Sequence, residues 1–339
     1  MRSFLTISFM LTFLYSEIKA QDVSLSQYHN LSSLLNPAST GSYGDDIKAT
    51  LSHKRQWKSV STPYITNLFC AEWNPGSKNK NKVNKPSFGL IAVTDMAGSS
   101  GYKSSMFRAL GAYHLRLNKT KNLSFGLELG YNQRNFSFEG LAWDAQFNGV
   151  GYDASLPTLE NFNNTSNKNL DAGFGVEFTN KKPKKLLWKT GLALHHYYQK
   201  QTVLENGEDA LPTLAQLYFQ GQQSNGFMMY RYYALVQVQS LAALSGTIGM
   251  DASHRFNYDS KYTNFSTSSA ITAGLFYRYR DAVIALVGYE HKRQFRISVS
   301  YDVNISNLRT SSKLNGGPEI NLAYFGNFDK KRSRLRKIK

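Results

Sequence analysis

The 339-residue chain has a single cysteine, eight prolines and, past its first twenty residues, no apolar run approaching the ~18–20 residues that a membrane helix requires. With Cys70 alone, no intramolecular disulfide can form, so stability has to come from packing and hydrogen bonding. Cys70 also lies far from the N-terminus, which excludes a lipoprotein, because a lipid anchor needs cysteine as the first mature residue. Missing apolar runs exclude a helical membrane protein. Acidic residues are sparse, 23 against 40 Lys plus Arg, giving +17. Only 19% of positions are charged and 41% are hydrophobic, which excludes a disordered tail protein.

Catalytic signatures are missing too. There is no HExxH, no paired cysteine ligand set and no acidic calcium loop. No GxGxxG or GxxxxGK[ST] opens a helix to cradle a phosphate, and no GxSxG elbow is present. We therefore expect no catalytic residue, no cofactor, no metal and no enzymatic activity. His195-His196 is the one adjacent histidine pair, but neighbours on a regular strand point to opposite faces and cannot share one metal.

What the sequence does contain begins with an export signal. Arg2, an apolar stretch over residues 4–15 and Ile18-Lys19-Ala20 form a signal peptide over residues 1–20, so the mature chain starts at Gln21. Beyond it, apolar and polar residues alternate with a period of two. In 123–133, Leu123, Phe125, Leu127, Leu129 and Tyr131 oppose Ser124, Gly126, Glu128, Gly130 and Asn132. Segments 170–178 and 295–303 repeat the pattern, and less regular candidates lie at 46–57, 63–74, 86–95, 104–117, 186–199, 212–220, 227–239, 246–256, 270–280, 282–292 and 318–328. This predicts an all-β, antiparallel outer-membrane barrel of about 14 strands, with about 12 as the other possibility.

The non-apolar faces are rich in Gly, Ser, Asn, Gln and charge, which suits a hydrated lumen. Aromatics near strand ends, Trp57, Trp73, Trp143, Trp188, Tyr197-Tyr198, Tyr232-Tyr233, Tyr277 and Tyr279, suit interfacial girdles. No linker divides residues 21–325, and 326–339 forms a basic tail with seven Lys or Arg against one Asp. Export, and basic residues spread over loops and tail, argue against nucleic acid; anionic lipid headgroups, lipopolysaccharide or an acidic partner protein explain the charge at least as well. The connection 139–168 is longer than a hairpin needs and is the predicted recognition surface.

Particular stretches carry a family resemblance. Gln21-Asp22, Ser26-Gln27-Tyr28, Leu35-Asn36-Pro37-Ala38 and Gly41 resemble the opening motif of the PorP/SprF family of type IX secretion system membrane proteins. Gly89-Leu90 with Thr94-Asp95 and Gly98, then Ala112-Tyr113-His114-Leu115 with Leu123-Ser124-Phe125-Gly126-Leu127, resemble its next elements. Gly274-Leu275-Phe276-Tyr277-Arg278, Asp281-Ala282-Val283-Ile284, Val287-Gly288, Ser300-Tyr301-Asp302 and Gly317-Pro318-Glu319-Ile320 resemble its closing strands in order. The chain departs from the pattern in 204–230 and in carrying a tail after Tyr324-Phe325.

The resemblance implies a non-enzymatic accessory component of the type IX secretion or gliding machinery that helps export or anchor adhesins. Its partners would be outer-membrane lipid, periplasmic and ring components of that machinery, and a secreted adhesin. With the N-terminus inside and an even strand number, both ends share a side, so 330–339 is expected to face the periplasm. The rival readings are a passive channel or small hydrophobic-ligand transporter, and a soluble secreted binding protein.

Overall fold

Fourteen strands close into one antiparallel barrel. They are β1 (Ile47–Gln56), β2 (Tyr64–Trp73), β3 (Asn84–Ala97), β4 (Tyr102–Arg116), β5 (Lys121–Asn135), β6 (Ser166–Lys182), β7 (Leu186–Gln201), β8 (Leu214–Asn225), β9 (Met228–Gln239), β10 (Ala243–Arg255), β11 (Ala270–Arg278), β12 (Ala282–His291), β13 (Phe295–Asn304) and β14 (Asn315–Gly326). The computed structural model describes residues 24–56, 62–75, 84–97, 101–137, 142–159, 166–182, 186–201, 211–239, 243–256, 268–306 and 315–328. Residues 1–20, read above as a signal peptide, Trp57 and the tail from 329 onward lie outside the described residues.

Each strand pairs with its neighbours in sequence, and β14 returns to β1 from Ile47↔Gly326 to Lys54↔Glu319, so no edge is left open. All fourteen predicted segments are strands, which settles the count against twelve. Region 204–230, which departs from the family pattern, nonetheless holds β8 and the start of β9.

The alternation decides which side faces what. Leu127 and Leu129 are 68% and 69% exposed, whereas Glu128 between them is 3% exposed. Ile297 and Val299 point outward likewise while Ser298 and Ser300 point in. In a soluble sandwich the apolar faces would bury each other; here they form a continuous outer belt that lipid covers. Trp73 packs on Phe88 and Trp188 on Phe178, with ring centroids 5.9 and 5.4 Å apart, while Tyr197, Tyr198, Tyr277 and Tyr279 are exposed near the opposite strand ends. Tyr233 is a correction to the predicted girdle: its position is one residue out of phase with exposed Tyr232, so it turns into the lumen and is buried.

The barrel has two distinct rims. At the proximal rim β1 begins and β14 ends; at the distal rim lies the long connection between β5 and β6. That connection is residues 136–165, so the last three positions of the predicted loop belong to β6. Within it, Asp144–Gln146 forms a 3-10 turn and Phe147 bridges Tyr152. Asp153 accepts from the Ser155 hydroxyl (2.6 Å) and amide (2.9 Å), hydrogen bonds that hold its carboxyl below the usual carboxylate range.

Candidate functional site

The lumen is not the open hydrated space that its polar lining predicts: the chain's own N-terminal segment crosses and plugs it. Residues 24–45 precede β1 and fold into three single turns, Tyr28–Asn30, Ser32–Leu35 and Pro37–Ser39. The segment starts beside Lys54, Arg278 and Asp302, near the distal ends of β1, β11 and β13, and finishes at the proximal rim, where the Asp46 amide donates to Gly326 O (3.0 Å). The start of β1 and the end of β14 share a side, as expected for an even strand number, while the segment ahead of β1 crosses the lumen, so Ser24 sits towards the distal rim; the chain ends themselves lie outside the described residues.

Three sets of wall contacts hold the plug. At its start, the Ser26 and Gln27 amides donate to the two carboxylate oxygens of Glu319 (2.6 and 3.1 Å), and the Ser26 hydroxyl donates to Asp302 (2.6 Å). Lys54 and Arg278 each lie 3.3 Å from Asp302, and Lys54 also donates to Ser24 O (2.9 Å). The Gln27 side chain donates to Glu319 O (2.9 Å) and accepts from the Ser298 hydroxyl (2.6 Å). Buried charges survive only when paired and hydrogen-bonded, and here the plug backbone supplies part of that pairing.

In the middle, Asn36 links three chain segments. Its amide nitrogen donates to Val176 O (3.0 Å) and Leu192 O (3.2 Å) on β6 and β7, while its side-chain oxygen accepts from Ala38 N (2.8 Å) and caps the Pro37–Ser39 turn. So close an approach needs a wall without side chains. A Cβ on Gly126 would collide with the Pro37 carbonyl carbon and the Ala38 nitrogen, and one on Gly191 would stand 2.7 Å from the Asn36 amide and the Tyr218 ring. At the proximal end, the Gly41 amide donates to Glu72 (2.8 Å), whose other oxygen is 3.2 Å from Lys48, and the Tyr43 hydroxyl donates to Glu72 O (2.7 Å).

Apolar contacts complete the seal on two sides. Leu25 and Leu31 pack with Leu68, Ile91, Val93, Met106 and Leu110 of β2–β4. Opposite, Tyr28 and Leu35 join Tyr218, Tyr233, Leu235, Phe276, Ile284 and Leu286. The His29 ring stacks on Phe276 at 4.8 Å. At the distal mouth, a cavity of 30 Å³ bounded by Ser24, Leu25, Tyr28 and Arg278 remains, room for water and not for a solute.

The histidine pair corrects a second expectation. Between the pairs Ala172↔Tyr198 and Phe174↔Leu194 the β6–β7 register shifts, and His196 has φ +55°, so the two histidines do not alternate. Both face the lumen: His195 Nδ1 meets Glu128 at 2.7 Å, His196 Nδ1 meets Asp171 at 2.5 Å, and Arg108 lies 3.6 Å from Glu128 and 3.3 Å from His195. His195 Nε2 is 3.1 Å from Leu35 O, so the bulge grips the plug. Among the described residues, no group of three or more His, Cys, Asp or Glu side chains is placed to hold a metal ion.

Among solved structures, the chain is similar to the Pseudomonas putida toluene transporter TodX, with 12% identity over 88% of this chain and 94% of that one and a TM-score of 0.51. A deltaS2 mutant of the TodX monoaromatic hydrocarbon channel gives 11% identity, the same coverages and a TM-score of 0.51. A Pseudomonas aeruginosa FadL homologue gives 8% identity over 86% of this chain and 92% of that one, with a TM-score of 0.47. At such identities the likeness to TodX is one of fold, that of an outer-membrane barrel. No curated protein matches the chain. The family described as type IX secretion system membrane protein PorP/SprF matches residues 17–324, which takes in the plug motifs and all but the last residues of β14. An outer-membrane barrel whose opening motif plugs its own lumen is thus matched along nearly its whole length, and the chain belongs to the PorP/SprF family of type IX secretion system membrane proteins.

Proposed function

We propose that this barrel is a non-enzymatic anchoring and docking component of type IX secretion, helping to export or hold adhesins at the surface, and not a channel. The filled lumen carries this reading. A pore-forming role needs a continuous aqueous path, whereas here wall-to-plug hydrogen bonds and two apolar clusters occupy the cross-section. A rigid sealed barrel is instead a platform whose rims present surfaces. On this reading a signal peptide over 1–20 is cleaved after export, the proximal rim and the tail 330–339 face the periplasmic ring components, and the distal connection 136–165 meets the adhesin outside.

The channel reading requires the plug to leave. Conductance of the purified full-length protein in planar bilayers decides between them. We expect no steady current above background; large, steady single-channel steps from the intact protein would favour transport and remove the docking proposal.

A further inference from the structure

Charge is sorted between the rims. The segments that link strand ends at the proximal rim, with the chain beyond β14, hold sixteen Lys and Arg, Lys78, Lys184 and Lys292 among them, against Asp259 and Asp329. Asp45 and Asp46, also on this rim, accept from the Asn327 side chain (2.6 Å) and the Phe328 amide (2.9 Å). The distal connections reverse the balance, with eight acids, seven of them in 136–165 and 202–213, against four bases.

The proximal rim also opens inward, into a vestibule of 490 Å³ floored by Gly41, Ser42 and Tyr43 of the plug. Lys85, Arg116, Lys119 and Lys181 line it. Lys85, Arg116 and Lys181 stand at positions in phase with the lumen-facing residues Ser87, Ser124 and Glu177 of β3, β5 and β6, and with Ala112 of β4, so they face inward at the rim, where Arg116 Nε donates to Asn118 O (3.2 Å). Among the described residues Glu177 is the one acid lining the vestibule; it accepts a short hydrogen bond from Tyr218 and lies 3.6 Å from Lys189. Low-dielectric walls carrying one sign of charge concentrate the field in the cavity they enclose.

From this geometry we infer that the proximal vestibule is a binding site for an acidic, carboxylate-rich peptide segment of a partner protein. The chain's own tail, with seven bases, carries the wrong charge to fill it. A lipid headgroup lies outside the belt, separated from Lys85, Arg116 and Lys181 by the barrel wall, whereas a peptide enters from the aqueous side. The volume accepts a few side chains, and their carboxylates would meet the ammonium and guanidinium groups that line it. The site rests on the docking proposal and names the chemistry of what docks.

The test is fluorescence anisotropy of a labelled short poly-glutamate peptide with the detergent-solubilised full-length protein. Wild type should bind it, more weakly as salt rises and the Debye length shrinks below ~8 Å. The double variant Arg116→Ala/Lys181→Ala should lose about tenfold in affinity, equivalent to ~1.4 kcal/mol. Lys292→Ala/Arg293→Ala, on the same rim but outside the vestibule, should change it little. Heat-modifiable migration checks that each variant is folded. Equal loss in both variants, or no binding, overturns the site, as does full competition by phosphatidylglycerol nanodiscs, which would assign the charge to lipid. None of these outcomes bears on conductance, so the site can fail while the docking proposal stands.

Discussion

Replacing Glu319 with alanine should detach the start of the plug and convert a silent barrel into a leaky one. Glu319 is fully buried and accepts from two plug amides, while Lys54, 1% exposed, lies in the same cluster. Truncation strips the acceptors from both buried plug amides, and each buried donor left unsatisfied costs ~1–3 kcal/mol. Glu319→Gln keeps an acceptor and should lose less. The measurements are the temperature at which heat-modifiable migration is lost and planar-bilayer current: a marked fall in the first, with flickering current in the second, is expected for alanine. An unaltered melting temperature would mean that Glu319 does not hold the plug.

The second large effect acts through shape. Gly126→Val would drive a branched side chain into the Pro37–Ala38 backbone, which cannot move aside as a flexible side chain would. Ordinary overpacking costs ~1–3 kcal/mol, and a backbone obstacle should take this substitution beyond that range, forcing the turn off the wall. Gly111 is the control: a Cβ there meets no atom within 4 Å, so Gly111→Ala should stay within ~0.5 kcal/mol of wild type. Limited proteolysis reads the difference, with cleavage inside residues 24–45 rising for Gly126→Val and unchanged for Gly111→Ala.

The barrel was legible in the sequence because strand alternation is a local property. Leu127 against Glu128 and Ile297 against Ser298 state their faces without reference to any other part of the chain. The plug was not legible. Its turns are three or four residues long, too short for a period, and its partners lie up to 293 positions away, as Ser26 does from Glu319. The motifs Ser26-Gln27-Tyr28 and Leu35-Asn36-Pro37-Ala38 stood out only through family resemblance, and they proved to be the residues that seize the wall. One signal was available. Glu72, Glu128, Glu177 and Glu319 sit at inward positions of strands beside glycines, and buried carboxylates next to bare backbone require something to approach and pair with them.

The histidine pair was misplaced for a related reason, because opposite faces follow from regular pairing and a bulge suspends it at His196. The direction of the charge was likewise hidden. Loops such as 74–83 and 136–165 are far apart in sequence order, and only the closed topology shows that the strand ends flanking the first share a rim with the end of β14 and those flanking the second lie opposite.

The central claim, that residues 24–45 occupy the lumen of their own barrel, can be tested with one substitution. The sole cysteine, Cys70, faces inward on β2 with its Sγ 3.3 Å from the hydroxyl of plug residue Ser33. Ser33→Cys would bring two thiols within bonding reach once the side chains settle, in an oxidising compartment. Thiol counting under denaturing conditions after export should give one free thiol for wild type and none for Ser33→Cys, with both thiols recovered on reduction. Two free thiols in the folded, oxidised Ser33→Cys protein would place the segment outside the barrel and contradict the account.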